Sequence, residues 1–172
     1  MFATSFHPRM NCIPTFPGKT VDWIPVDFAA ASVTDILLFS SSQQPEAEGL
    51  RNKHSVHNIV NPKIIRWDEL IDMLQDIKAR GDNGGRMEEV SMVEWVARLG
   101  KLADEGVSAD ELHGLKLLQF FENIAEGGEE QSKVFETGKS RSISKALRDC
   151  RPFCEELVGK NLKVWKESGF LG

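Results

Sequence analysis

Val21-Asp22-Trp23-Ile24-Pro25-Val26-Asp27-Phe28-Ala29-Ala30-Ala31 is the stretch around which the chain is organised. It reads as a short buried strand, Trp23 to Val26, that passes through an acidic cap into a helix of small residues. Pro25 removes a ladder donor, so the strand is very short or lies at a sheet edge. Asp27 stands where a helix N-cap belongs. The helix continues through Ser32 to Leu38, with Val33, Ile36 and Leu37 as its predicted buried stripe. The alanine run lets it approach a neighbour closely.

Upstream, residues 1–20 contain Pro8, Pro14, Pro17 and Gly18 and read as an irregular N-terminal arm with one helical turn. Downstream, residues 40–54 form a polar loop. Ser55 to Val60 alternates like a strand, and Asn61-Pro62 ends it. Trp67, Leu70, Ile71, Leu74 and Ile77 mark one helix face, stopped by Gly81 and the following turn. Met87 to Val90 reads as a short strand. Ser91-Met-Val-Glu94 has capping-box spacing, with Val90 and Trp95 as a hydrophobic staple. Ser108-Ala-Asp-Glu111 repeats the device with Val107 and Leu112, ahead of a predicted helix that carries Leu112, Leu115, Leu118 and Phe121. Lys133 to Thr137 reads as a strand, a helix through Ile143 and Leu147 reaches Pro152, and a last helix carries Leu157, Leu162 and Trp165. The pattern predicts a helix-rich α/β fold with a few short strands and about five or six helices. It places residues 21–172 in a single domain.

The chain has 172 residues, 41% of them apolar and 27% charged, enough to bury a core. No apolar run approaches the ~20 residues of a membrane span, and no signal peptide is apparent. The net charge of −5, with Lys and Arg scattered among acids, argues against nucleic acid. Three cysteines without paired spacing fit a reducing compartment, so a cytoplasmic location is expected. No CxxC or HExxH spacing supports a metal site. No glycine-rich turn follows a strand and opens a helix, so no phosphate loop is present.

Candidate catalytic residues are few. His57 sits on the predicted strand before Asn61-Pro62; it is a general base if it faces a pocket and an ordinary sheet histidine if it does not. Asp22 and Asp27 flank the opening strand, Asp22 as an acid or base at the strand end and Asp27 first as a cap. Trp23, Asn61, Trp67, Phe120 and Phe121 are the candidate substrate contacts. Most of the aromatics fit helix core positions. Phe120 and Phe121, however, point about 100° apart on a helix, so only one of them can share the buried stripe.

Taken in order, these segments resemble the substrate half of thioester reductase domains. Such domains are extended short-chain dehydrogenase/reductases that end many fungal polyketide synthases and nonribosomal peptide synthetases. Val21 to Ser32 resembles the junction at which the family leaves its nucleotide half. Val56-His-Asn-Ile-Val-Asn-Pro62 resembles its strand ending in Asn-Pro. Ile65-Arg-Trp-Asp-Glu-Leu70 resembles its next helix start, with Arg66 in place of the usual small cap. Glu89 to Trp95, Phe135-Glu-Thr137 and the Leu147 to Pro152 segment resemble later parts. The resemblance implies that the redox half lies upstream of this match. The chain has no tyrosine and therefore no Tyr-x-x-x-Lys pair. It implies no NADPH-dependent reduction by this chain alone, no cofactor, and an apolar face left uncovered by the absent half.

Three functions follow as expectations. The first is a cofactor-independent, non-redox enzyme of fungal polyketide or polyketide–peptide metabolism, which cyclises or isomerises a reactive intermediate in a retained acyl pocket. The second is an accessory protein that binds substrate, an acyl carrier or a synthase. The third is an inactive reductase fragment. The uncovered face implies a homo-oligomer, or coverage by the N-terminal arm.

Overall fold

The computed structural model describes residues 1–42, 55–81, 85–127 and 133–169. Its elements run α1 (Phe2–Phe6), β1 (Cys12–Thr15), β2 (Thr20–Val21), α2 (Val26–Ser42), β3 (Ile65–Arg66), α3 (Trp67–Ala79), β4 (Glu88–Ser91), α4 (Met92–Asp104), a 3₁₀ turn (His113–Leu117), α5 (Leu118–Glu126), α6 (Gly138–Ile143), α7 (Lys145–Asp149) and α8 (Glu155–Glu167). This is the helix-rich α/β fold with short strands that the pattern predicts. The described residues divide into two compact units. One holds Met1–Lys19, Arg66–Ser132 and Cys154–Gly172; the other holds Thr20–Ile65 and Lys133–Phe153.

The first unit is built on Trp95. The α4 stripe of Trp95, Val96, Leu99 and Leu102 packs with Met10, Val90 and Phe121. The Trp95 indole N–H, completely buried, donates to Ser5 Oγ at 3.1 Å and to the Cys12 carbonyl at 3.3 Å. Ser91 caps α4 as read, its Oγ accepting from the Glu94 N–H at 3.1 Å. Ser108 Oγ accepts from the Glu111 N–H at 3.1 Å, but it closes a turn rather than starting the expected helix: the 3₁₀ turn begins at His113 and α5 only at Leu118, with no side-chain cap. At the other end of α4, Gly106 adopts φ +83°. Its N–H reaches Ala103 O and the Val107 N–H reaches Leu102 O, the paired closure that satisfies the last carbonyls.

Residues 1–19 are part of this core. Strand β1 pairs in parallel with β4, Cys12 opposite Glu88 through Thr15 opposite Ser91. Pro14 is tolerated because in a two-stranded sheet each strand has an open side. Gly114 packs so tightly on Thr4 that an added Cβ would lie 2.3 Å from its Oγ1. In α3 the predicted face of Trp67, Leu70, Ile71 and Leu74 is buried. Gln75 joins it, exchanging two bonds with the backbone of Met87, at 2.7 and 2.9 Å. At the head of α3, Arg66 has no acceptor group with which to cap. The Glu69 carboxylate instead approaches the Arg66 N–H at 3.4 Å, and Asp68 Oδ1 accepts from the Glu69 N–H at 3.0 Å.

The second unit departs from the sequence reading in four places. The opening strand is Thr20–Val21, not Trp23 to Val26, and α2 starts at Val26. Asp27 therefore lies inside the first turn rather than at the cap, where its charge meets the positive end of the helix. Secondly, α2 buries Ser32 and Ile36, while Val33 and Leu37 are exposed. Ser32 can be buried because its hydroxyl donates to the Phe28 carbonyl at 2.7 Å. Thirdly, residues 40–42 are helical rather than loop: the hydroxyls of Ser40, Ser41 and Ser42 donate to carbonyls of the preceding turn. The remainder of the predicted loop, 43–54, lies outside the described residues. Finally, Ser55 to Val60 and Lys133 to Thr137 form no strand.

Asp35 holds α2 to the start of α7. Its Oδ2 accepts from the Ser144 hydroxyl at 2.9 Å and from the Ala146 N–H at 3.1 Å. Ser144 Oγ in turn accepts from the Leu147 N–H at 3.0 Å, capping α7. The Ala146 N–H and the Ser144 hydroxyl hold the Asp35 carboxyl below the ordinary carboxylate range.

Candidate functional site

A cleft of about 270 Å³ opens in the second unit, and the sequence candidates Asp22 and Asn61 meet there. Chain direction explains why. Val21 is buried in β2, and the next carbonyl, that of Asp22, accepts from the Asn61 N–H at 2.8 Å. Asn61 is 1% exposed and uses its side chain fully. Its Nδ2 donates to the carbonyls of Trp23 at 3.2 Å and Arg151 at 2.8 Å, and its Oδ1 accepts from the Lys63 N–H at 3.0 Å. Asn61 therefore shapes the wall.

The opposite side of the cleft comes from a part of the sequence that drew no functional reading. Lys133, Glu136, Thr137 and Arg141 line it, together with Val134 and Phe135. Thr137 precedes α6, so Thr137 and Arg141 share one helical face. Glu136 is tied to the start of α6, its Oε1 accepting from the Gly138 N–H at 2.6 Å. Nothing in residue spacing marks this half of the site, because it joins Asp22 and Asn61 only through the fold.

The other candidates lie elsewhere. His57 does not line the cleft; its Nε2 is 2.8 Å from Ser55 Oγ, and its Nδ1 is buried without a hydrogen-bond partner. Asp27 is exposed on the first turn of α2. Trp23 is 42% exposed and packs edge-on against Phe153, ring centres 5.5 Å apart. Trp67, Phe120 and Phe121 belong to the first unit. Trp67 is a core residue, donating to the Pro14 carbonyl at 3.1 Å and packing against Phe2 and Phe16. Phe121 is buried edge-on against Trp95, whereas Phe120 is exposed, the divergence that adjacent helix positions require.

A second hollow, of about 240 Å³, lies in the first unit between Phe16, Met92 and Ile124. Lys19 is its one ionisable lining residue, and no acid or base converges on it. The cleft is chemically better equipped. Among the described residues the Asp22 carboxylate has no hydrogen-bond or ion-pair partner, so it can take up a proton from a ligand. Arg141 and Lys133 can face developing negative charge. The described residues hold no cluster of His, Cys, Asp and Glu fit for a metal ion. The junctions into α2, α3 and α4 contain no glycine, so none of them fits the pyrophosphate of a dinucleotide. No helix among the described residues is long and apolar enough to cross a membrane.

Comparison with known proteins places this sequence beside fungal polyketide synthases. It is 31% identical over 159 residues to the 3-methylorcinaldehyde synthase of Talaromyces stipitatus, covering 92% of this chain and 5% of that protein. It is 30% identical over 166 residues to the clavatol synthase of Penicillium crustosum, covering 94% of this chain and 6% of the synthase. A non-reducing polyketide synthase of Monascus ruber is 28% identical over 99% of this chain, again 6% of its own length. The chain thus spans about one-twentieth of the relatives it matches. No family model matches it, and no solved structure does.

Proposed function

We propose that the chain acts in fungal polyketide or polyketide–peptide metabolism as a cofactor-independent, non-redox enzyme related to the substrate half of a thioester reductase domain. It cyclises or isomerises a reactive carbonyl intermediate in the cleft of the second unit. The observation that carries the reading is the convergence of Asp22, a carboxylate without a partner among the described residues, with Arg141 and Lys133 between apolar walls. Similarity to polyketide synthases over nearly the whole chain supports the substrate class.

In this reading Asp22 takes the acidic proton from a carbon flanked by two carbonyls. The enolate oxygen is stabilised by Lys133. The carbon then attacks a second carbonyl of the same molecule, forming the ring bond. The resulting alkoxide recovers the proton from Asp22, so the step is redox-neutral. The Asn61 clamp holds the Asp22 backbone in place.

The test is mass spectrometry of a β-polyketone thioester incubated with the purified chain, without NADPH. A cyclised or isomerised product that Asp22→Asn abolishes is expected. A product pattern identical to the no-protein control would sink the reading.

A second reading, an accessory binding protein, is favoured by α2. Val26, Val33, Leu37 and Leu38 are exposed on a helix whose charged residues are Asp27 and Asp35. An uncharged apolar stripe suits another protein surface, whether a second copy, an acyl carrier or a synthase. Residues 1–19 are committed to the first unit's core, which favours self-association over coverage by the arm.

A further inference from the structure

Most arginines among the described residues are occupied. Arg9, Arg66, Arg80, Arg86 and Arg98 meet carboxylates. Arg148 donates to the carbonyls of Arg141 and Ser142. Arg141 and Arg151 have no side-chain partner among the described residues, and of these two it is Arg141 that lines the cleft. It sits beside two carboxylates, Asp22 and Glu136, yet its guanidinium pairs with neither. Glu136 is held by the Gly138 N–H instead. In a chain of net charge −5, a guanidinium left unpaired within a cleft that contains carboxylates is a site for a negative group from outside.

Two neighbouring features point the same way. Thr137, one turn before Arg141 on the same helical face, also lines the cleft, and its hydroxyl has no partner among the described residues. Lys133 adds a second positive charge, and Val60, Pro62, Ile64 and Phe135 supply flat apolar walls.

We infer that the cleft selects a carboxylate-bearing planar ligand, the carboxylate held by Arg141 with support from Thr137, and the ring or enol system against the apolar walls. A planar guanidinium fork matches a carboxylate in two parallel bonds, which a lysine cannot reproduce. The carboxylate end then lies with Arg141, and the reacting end is left to Asp22 and Lys133. This rests on the cleft being the substrate site proposed above.

The test compares 2,4-dihydroxybenzoate with its methyl ester by isothermal titration calorimetry on the full chain. The two probes differ by one charge. The acid is expected to bind at least ~10-fold more tightly, a preference that shrinks as salt rises. Arg141→Gln should remove the preference while leaving ester binding unchanged, and Arg141→Lys should keep only part of it. Arg141 is exposed, so neither variant threatens the fold. Asp22→Asn should leave the acid bound as tightly or more so, whatever its effect on turnover. Equal affinities for acid and ester, no binding of either, or a preference that survives Arg141→Gln would each overturn the inference. Equal binding of both probes would leave the proposed cyclisation standing.

Discussion

Asn61 donates its side-chain amide to the carbonyl of Arg151 at 2.8 Å, across 90 positions of sequence. The same nitrogen donates to Trp23, and the Asn61 backbone N–H reaches Asp22. One buried residue thus links the stretch that opens α2 to the segment after α7, and sets the wall of the cleft. Asn61→Ala takes the donor from two part-buried carbonyls, those of Trp23 and Arg151. It should lower unfolding stability by about 3 kcal/mol, read by urea titration of tryptophan fluorescence. A loss under about 0.5 kcal/mol would show that water replaces the clamp.

The Asp35 clamp makes the second unit sensitive to acid. Because the folded protein holds the Asp35 carboxyl below its usual range, the clamp is at full strength above the unfolded value of ~3.9 and fades as pH falls through the lower folded value. Melting curves should show Asp35→Asn less stable than the parent near neutral pH, with the gap closing in acid. Ser144→Ala, which removes the α7 cap, should cost about 1 kcal/mol at neutral pH. A gap for Asp35→Asn that stays constant with pH would contradict the clamp.

Thiol reactivity should sort the three cysteines. Burial pushes the thiols of Cys12 and Cys150 up, so few are thiolates at neutral pH and both are shielded from reagent. Cys154 is only half-buried, at the head of α8. A disulfide reagent added to the native protein is expected to label Cys154 quickly, and the other two only in denaturant. Fast labelling of Cys12 would mean that β1 opens readily.

Trp95→Phe keeps most of the ring volume and removes the indole N–H. The Ser5 hydroxyl and the Cys12 carbonyl would each lose a buried partner. The variant should be destabilised by about 1–3 kcal/mol, and Leu99→Ala, beside it on the α4 stripe, by about 2–5 kcal/mol. Equilibrium unfolding measures both. If Trp95→Phe is neutral, the two hydrogen bonds do not anchor the N-terminal segment.

The α2 stripe predicts self-association. Sedimentation velocity should show the parent chain assembling as its concentration rises, and Leu37→Glu should shift it toward monomer without loss of helical signal. Leu37 is 64% exposed, so the substitution does not disturb the unit's own packing. A parent chain that stays monomeric throughout would remove the case for a second copy on this face.

Capping chemistry and strong helix periodicity were legible in the residues alone. Ser91 caps α4 where its spacing says, and the α3 and α4 faces are buried as patterned, whereas the same spacing at Ser108 closes only a turn. These signals are local: a hydroxyl and an N–H three positions apart meet wherever the helix lies. The α2 face was misleading because its packed side pairs a serine with an isoleucine. Ser32 and Ile36 face inward, while the apolar Val33 and Leu37 face out, so hydrophobicity alone points to the wrong side.

Residues 1–20 and the cleft needed tertiary structure. A segment with three prolines and Gly18 looks irregular, yet Cys12–Thr15 finds its partner in Glu88–Ser91 and Trp95 closes over it. The cleft gathers Asp22, Asn61, Thr137 and Arg141 from distant stretches, and no local pattern says that they meet. Local sequence settles where helices start and which strong stripes they bury, because those interactions reach only three or four residues. Which polar side chains converge, and which are left without partners, depends on long-range packing, and that is set only when the whole chain has folded.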